Sequence, residues 1–373
     1  MNWIYLAFLV SLVFAILSEN RVRFVLSTSP SSPFHAKHRN YSRPFVFLFF
    51  AVLLFVVACR EGFIDTPDYI YMYKQIGPRI ENVFNETVPR VEKGYLLITA
   101  LLNMISTDPQ ILLITFGTIT IFFFSLVIVR YSEKMSFSLI LFVCNLWISC
   151  MNGLRQIFVA SIISFLGALL ISAKTTKRKI ILFVALALLL STIHTSILLV
   201  IPFYFMAKGK FLNKWVVAGY LFGLLLLMFP PLYEFAFKTF TSGTSYANMI
   251  DSESTMGALR LLISAAPVVL CLIYRFSQKN AEIADTDAWM MNLMLFGFLF
   301  SLLSLKMVYF ARMRMYFNIF STITLPYVVN RLFSKKYRNV MIWIINFLYI
   351  AVFIYQLGAY GDEVTNFRLF FEV

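Results

Sequence analysis

Long apolar stretches separated by short polar loops fill almost the whole chain. A helix needs about 20 apolar residues to cross the hydrocarbon core, with a range of roughly 17–25. On that measure candidate spans lie near 3–18, 44–60, 110–129, 137–151, 157–173, 180–194, 195–210, 215–232, 259–276, 288–305, 309–330 and 340–358. Some are short, and lysines at their ends can snorkel to lengthen them. The pattern predicts an all-α, polytopic integral membrane protein of about twelve transmembrane helices, forming a single transmembrane domain over residues 1–373.

Two segments need separate treatment. GYLLITALLNMIS (94–106) is apolar but only 13 residues long. Stretches of 10–14 residues are more often re-entrant or interfacial, so this one is expected to dip in from one face and return there. The second is the pair 180–194 and 195–210. One long tilted helix would invert every later loop, so a hairpin with His194 at its outer turn is preferred.

Composition and charge orient this array. The 373 residues are 60% hydrophobic and 13% charged, with a formal net charge of +14. Soluble domains carry about 25% charge. A basic soluble chain would suggest nucleic acid. Here the basic residues sit in loops between spans and follow the positive-inside bias, so no nucleic-acid partner is expected. Twenty of the thirty-two Lys and Arg residues fall on one side with five acids, leaving +15 there and −1 on the other. The first apolar stretch is followed, not preceded, by Arg21, Arg23, Lys37, Arg39 and Arg43, and reads as a retained span with its N-terminus outside. Cys59, Cys144, Cys150 and Cys271 lie at or near apolar segments without metal-ligand spacing and read as small core residues.

The outer segment 60–93 is the longest between spans and is read as an extracytoplasmic loop contributing to an active site. It carries Glu61, Asp65, Asp68, Glu81, Glu86 and Glu92, with Tyr69, Tyr71, Tyr73 and Phe84. Aromatic rings can stack on sugar faces, and carboxylates can accept sugar hydroxyls or take a proton from one. Asp65-Thr66-Pro67-Asp68 sets two carboxylates in a turn stiffened by Pro67. Two acids alone are weak evidence for a divalent cation, and no metal is expected.

Cations gather near the same face. Asn152, Arg155 and Gln156 have the spacing of one helical face, and Arg155 has no acid within reach in sequence. An unpaired intramembrane arginine is costly and marks a functional candidate. Ser191, His194 and Thr195 have the same spacing. A lone histidine is a poor metal site, so His194 is either structural or a donor to phosphate or sugar. Further on, Tyr309, Arg312 and Tyr316 form one stripe, and Arg314, Asn318 and Thr322 form another. At least one of these arginines is expected to face a wet or protein-lined cavity. Arginine suits a diphosphate because its fork binds two oxygens and stays charged. No phosphate loop, HExxH pattern or nucleophile elbow is present, so no cofactor is expected.

In this order, these residues resemble the EpsG/Wzy-like family of polysaccharide polymerases. The matches are Asp65-Thr-Pro-Asp68-Tyr69, Glu92-Lys-Gly94-Tyr95, Gly153-Leu-Arg155-Gln156 with Ala160, His194-Thr-Ser196, and Arg312-Met-Arg314-Met-Tyr316 with Pro326. The resemblance implies a multi-pass enzyme of the bacterial inner membrane that builds O-antigen or capsule at the outer face. It would move a growing glycan from undecaprenyl diphosphate onto a sugar hydroxyl of a new lipid-linked repeat unit. Its partners would be the lipid-linked donor and acceptor, membrane lipid, and a separate chain-length regulator. On this reading Arg155, Arg312 and Arg314 bind the diphosphate, and His194 is a hydrogen-bond donor or leaving-group acid. Asp65, Glu92 and then Asp68 are candidate bases, and Tyr69, Tyr95, Gln156 and Tyr316 bind sugar. The rivals are an O-antigen ligase or other lipid-linked glycosyltransferase, a flippase or transporter, and a membrane acyltransferase. A transporter would carry its charges near the midplane and often show repeated halves. A ligase is expected to have a larger late outer loop than 233–258, and an acyltransferase a histidine with an acid partner.

Overall fold

Every one of these apolar segments carries a helix. The computed structural model describes residues 2–19, 41–84, 91–172, 175–229, 257–277, 283–306 and 309–372, with the single positions 231 and 235. Arg21, Arg23, Lys37, Arg39, Glu86 and Lys174 lie outside the described residues, as does most of 233–258. The early helices are α1 (Trp3–Leu17), α2 (Arg43–Cys59), α3 (Thr66–Ile76), α4 (Lys93–Ile105), α5 (Gln110–Tyr131) and α6 (Met135–Phe142). A π turn (Val143–Trp147) and a 3-10 turn (Ile148–Met151) extend α6. There follow α7 (Leu154–Leu170), α8 (Lys177–Ser191), α9 (Ile197–Met206), α10 (Lys214–Met228), α11 (Ala258–Ser277) and α12 (Asp285–Leu303). The chain closes with α13 (Tyr309–Met313), a 3-10 turn (Arg314–Tyr316), α14 (Asn318–Leu332), α15 (Lys335–Ala359) and α16 (Asp362–Thr365). The described residues form no β-strand.

Local chemistry sets many of these boundaries. Asn213 accepts from the backbone N–H groups of Trp215 and Val216 at 2.8 and 3.1 Å, satisfying donors that α10 leaves open at its start. Proline occupies the first turn of α2 and of α3, where its missing N–H costs nothing. Thus Asp65-Thr66-Pro67-Asp68 does not close a turn in a loop. It opens an 11-residue helix inside the segment 60–93.

By length and composition, α5, α11, α12 and α15 each suffice to cross a membrane, and seven shorter apolar segments accompany them. This makes the chain an all-helical, multi-pass membrane protein. The helix α12 is buried along almost its whole length and forms the centre of the bundle. Lipid tails offer little hydrophobic drive between helices, so close packing and buried hydrogen bonds hold such bundles. Gly167 lets α7 lie directly on the ring of Tyr204, and Trp289 donates to the Tyr204 carbonyl at 2.9 Å. Asn292 donates to the carbonyls of Ala207 and Lys210 and accepts from Leu212, fixing the loop after α9.

Polar contacts sort to the two ends of this bundle. At one end Lys134 and Ser136 meet Glu19, Arg331 meets Glu133 at 2.6 Å, and Lys208 meets Thr175. At the other end Gly153 meets Asp65, Arg155 meets Glu92, and Glu61 meets the backbone of Arg368. The basic loops and the candidate site therefore occupy opposite ends.

Both ambiguous segments are resolved by contacts. Phe183, eight residues before the end of α8, packs on Tyr204 and Phe205, near the far end of α9. That pairing is symmetric about Thr192–Ser196, so 180–210 is a hairpin. In α4, Gly94 N–H donates to the Thr192 carbonyl at 2.8 Å at its start. At its finish Asn103 donates to the Tyr73 carbonyl and Tyr73 donates to the Ser106 carbonyl. The next residue of consequence, Gln110, donates to Ala58 at the C-terminal end of α2. Both ends of α4 are thus tied to one end of the bundle. Thirteen helical residues span about 20 Å, short of a hydrocarbon core of about 30 Å. In single-cysteine proteins lacking the four native thiols, Glu61→Cys and Asp108→Cys are expected to react with an impermeant thiol reagent from the same side of the membrane. Lys177→Cys should react from the other side. Labelling of Asp108→Cys from the Lys177→Cys side would mean that α4 crosses.

Candidate functional site

The carboxylate of Glu92 stands where three segments meet. Glu92 occupies the N-cap position of α4, two residues before Gly94, and its carboxylate is left free of the helix end. A Cβ at position 94 would come within 2.6 Å of the Thr192 carbonyl oxygen, so only glycine lets α4 sit on the turn between α8 and α9. That close approach brings Glu92 to the turn. Its Oε1 accepts from the Thr195 N–H and hydroxyl, each at 3.0 Å, and lies 3.3 Å from His194 Nδ1. Its Oε2 pairs with Arg155 Nη1. Glu92, Arg155 and His194 are 15%, 14% and 7% exposed, so the group is largely dry.

Arg155 is therefore not the unpaired arginine its local sequence suggests. Its acid partner lies 63 residues earlier in the chain. The guanidinium is also 5.3 Å from the Tyr95 ring centroid and interacts with Tyr69. Tyr69 meets Tyr95 edge to face, Tyr95 meets Phe116, and Phe116 packs on Phe158. This aromatic column holds the cation from beneath. Asn152 does not share a helical face with Arg155, because Gly153 adopts φ +68° and α7 begins only at Leu154. The positive φ turns the Gly153 N–H towards Asp65 Oδ2 at 3.2 Å. Gln156 is in the helix, and its side chain donates to the Arg312 carbonyl at 3.0 Å. Likewise Ser191 does not share a face with His194, because the helix ends between them and Ser191 bonds back to Leu188.

The electrostatics follow from this packing. Burial opposes ionisation of Glu92. The His194 contact, the charge of Arg155 and the Thr195 N–H outweigh it and hold the carboxyl at about 2. Burial, with help from the charges of Arg155 and Arg312, lowers His194 below its ordinary value despite the favourable pull of Glu92. At neutral pH the site thus holds a carboxylate, an arginine cation and a neutral imidazole. A carboxyl held at about 2 is a weak base, so Glu92 serves to orient its neighbours. Glu92 Oε1 lies 3.3 Å from Nδ1 without closing a hydrogen bond to it, and His194 Nε2 has no hydrogen-bond partner among the described residues.

The remaining predicted residues divide. Arg312 adjoins the cluster: its carbonyl accepts from Gln156, the neighbour of Arg155 on α7, and its charge bears on His194. Arg314 does not. It lines a separate cavity with Asn318, and its Nη1 donates to Ser264. Thr322, placed on the same stripe, instead bonds the Ile319 carbonyl within its own helix. Asp68 is exposed on the first turn of α3. Tyr95 and Tyr316 are fully buried and Tyr69 nearly so. None offers a ring face for a sugar to stack on. The Tyr316 hydroxyl instead pairs with Ser196 at 2.8 Å, tying the 3-10 turn to the His194 turn. Thr195, grouped with His194 by spacing, and Ser196, which enters only through the His194-Thr-Ser196 run, were assigned no role from sequence; Thr195 holds Glu92 and Ser196 holds Tyr316. No group of three His, Cys, Asp or Glu residues able to hold a metal occurs among the described residues.

The chain is thus an all-helical membrane protein with a largely dry carboxylate–arginine–histidine cluster at one end of its bundle. The chain belongs to the EpsG family, whose profile matches residues 44–369. This places it with membrane proteins of polysaccharide biosynthesis and polymerase-type function. No curated protein and no solved structure matches the chain.

Glu92→Gln leaves Arg155 without a counter-charge in a largely dry site, and on the order of 3 kcal/mol of stability should be lost. The depressed Glu92 contributes stability that is complete above the unfolded carboxylate value of about 4.3 and is lost as pH falls towards about 2. The lowered His194 contributes stability that is complete above the unfolded value of about 6.5 and is lost as pH falls below it. Between pH 8 and 5 the Tm of the wild type should therefore fall relative to that of His194→Gln. A constant difference would show that His194 is not held neutral.

Proposed function

We propose that this protein is a polymerase of lipid-linked oligosaccharide repeat units. On this reading about twelve crossings place the Glu92 cluster at the outer face of a bacterial inner membrane, opposite the basic loops. The growing glycan passes from undecaprenyl diphosphate to a sugar hydroxyl of a new lipid-linked unit, in O-antigen or capsule synthesis. The observation that carries the reading is Glu92, ionised and buried, holding Arg155 and a neutral His194 side by side in a chain of the EpsG family.

In the reaction the bond between the donor's anomeric carbon and the diphosphate oxygen breaks. A bond from that carbon to the acceptor oxygen forms. Negative charge develops on the departing lipid diphosphate, and Arg155 and Arg312 are preorganised cations for it. The acceptor hydroxyl must lose its proton. His194 Nε2 is the base this reading assigns, with the Glu92 carboxylate 3.3 Å from Nδ1 on the other side of the ring to stabilise the imidazolium that forms. Asp65, half-buried and bonded to the Gly153 N–H, is the second candidate. Gln156 and Tyr316 position Arg312 and the His194 turn through their contacts.

The test is a deletion strain complemented with wild type, Arg155→Ala or His194→Gln at equal protein level, reading the surface-polysaccharide ladder on a gel. The deletion should collapse the ladder to single repeat units, and neither variant should restore it. Loss of general-base catalysis is worth about 10²–10⁴-fold in rate. Long chains in the deletion strain would overturn the polymerase reading, and loss of even the single unit would point to ligation or flipping.

A further inference from the structure

Arg314 faces a second polar cavity that the Glu92 cluster does not use. The cavity is lined by Asn145, Ser264, Ser301, Asn318, Ser321 and Tyr349. Three interrupted helices surround it. Asn145 lies in the π turn that follows α6, Arg314 opens the 3-10 turn before α14, and Pro267 sits inside α11. Proline removes a backbone donor, which leaves the carbonyl four residues earlier open. That carbonyl is Ile263, and Tyr349 donates to it at 3.3 Å. Irregular backbone at membrane depth persists where it lines a polar cavity.

The cation in this cavity is under-satisfied. Arg314 Nη1 donates to Ser264 Oγ at 2.6 Å, while Nε is buried with no partner. Ser264 in turn donates to the carbonyl of Arg260, one turn earlier on α11, and the Arg260 charge reaches Arg314. Neither arginine is in an ion pair among the described residues. Two like charges without a carboxylate partner among the described residues, Arg314 lining the cavity and Arg260 exposed one turn before Ser264 on α11, make a receptor for an anion. The interior admits only water-sized groups, so a larger anion has to engage Arg314 from outside it, on the side of Ser264 where Arg260 lies one turn earlier.

We propose that Arg260 and Arg314 form a second anion site, which takes the phosphate headgroup of a lipid. Resting on the polymerase reading, we assign it to the diphosphate of the acceptor, with Arg155 and Arg312 holding that of the donor. The spacing of Arg312 and Arg314 gives the reason. Two residues apart at a junction with a 3-10 turn, they point to different sides of one short element. One lipid-linked substrate can thus bind on each side of it.

The test is calorimetric titration of the purified full chain, in nanodiscs of zwitterionic lipid, with farnesyl diphosphate as the probe. Wild type should bind two molecules. Arg314→Gln should weaken one site at least about tenfold and leave the other, and Arg155→Gln should do the reverse. Arg260→Gln, at an exposed position, should weaken the same site as Arg314→Gln without threatening the fold, and Arg314→Lys should restore part of it. Two unaltered sites in both Arg260→Gln and Arg314→Gln would overturn the proposal. If phosphatidylglycerol added to the disc holds the second site against the probe, the acceptor assignment is overturned in favour of a bulk lipid. Two intact sites in a protein whose deletion leaves long polysaccharide chains would overturn the polymerase reading and leave the anion site standing.

Discussion

The Glu92 carboxylate is the junction on which the candidate site depends. It joins the start of α4, the start of α7 and the turn between α8 and α9 through one pair of oxygens. A buried arginine without a partner is costly, and a buried carboxylate equally so. Each makes the other tolerable, and the two Thr195 donors fill the remaining acceptor capacity. The same junction explains the short helix α4. Its role is to deliver Glu92 to the turn and to seal the aromatic column beneath Arg155, neither of which requires it to cross the bilayer.

Several interruptions in the helices have a matching physical cause. The break at Thr192–Ser196 frees the Thr195 N–H to meet Glu92, which an unbroken helix would have consumed internally. The positive φ of Gly153 frees its N–H for Asp65. The 3-10 turn at Arg314–Tyr316 separates two arginines and lets the Tyr316 hydroxyl reach Ser196. In a low-dielectric bundle, irregular backbone is retained where its freed polar groups find partners or line a polar space. These interruptions cluster at the same end of the molecule as the Glu92 cluster, whereas the opposite end is organised by caps and by ion pairs such as Arg331 with Glu133.

The amino-acid sequence by itself determined the architecture. Hydrophobic runs of near-bilayer length can do little other than form helices, because every backbone group must be satisfied within the segment. The clustering of Lys and Arg in alternate loops separated the two ends, and the length of 94–106 already argued against a crossing. The identity of Arg155, His194 and Glu92 as residues of interest was also legible, from the rarity of charge in such a chain. Only the tertiary structure decided which of them meet. Glu92, Arg155 and His194 are separated by many tens of residues, and pairing between them leaves no periodic trace. Spacing rules also assume unbroken helices, so they grouped Asn152 with Arg155 and Ser191 with His194, and the chain leaves the helix between the members of each pair. Burial was equally out of reach: a tyrosine near a charged loop reads as a sugar platform, and packing turned Tyr95 into the support of an arginine. Local sequence sets the period and sign of a segment, whereas the partner of a charge is set by the long-range cost of leaving it alone in a dry interior.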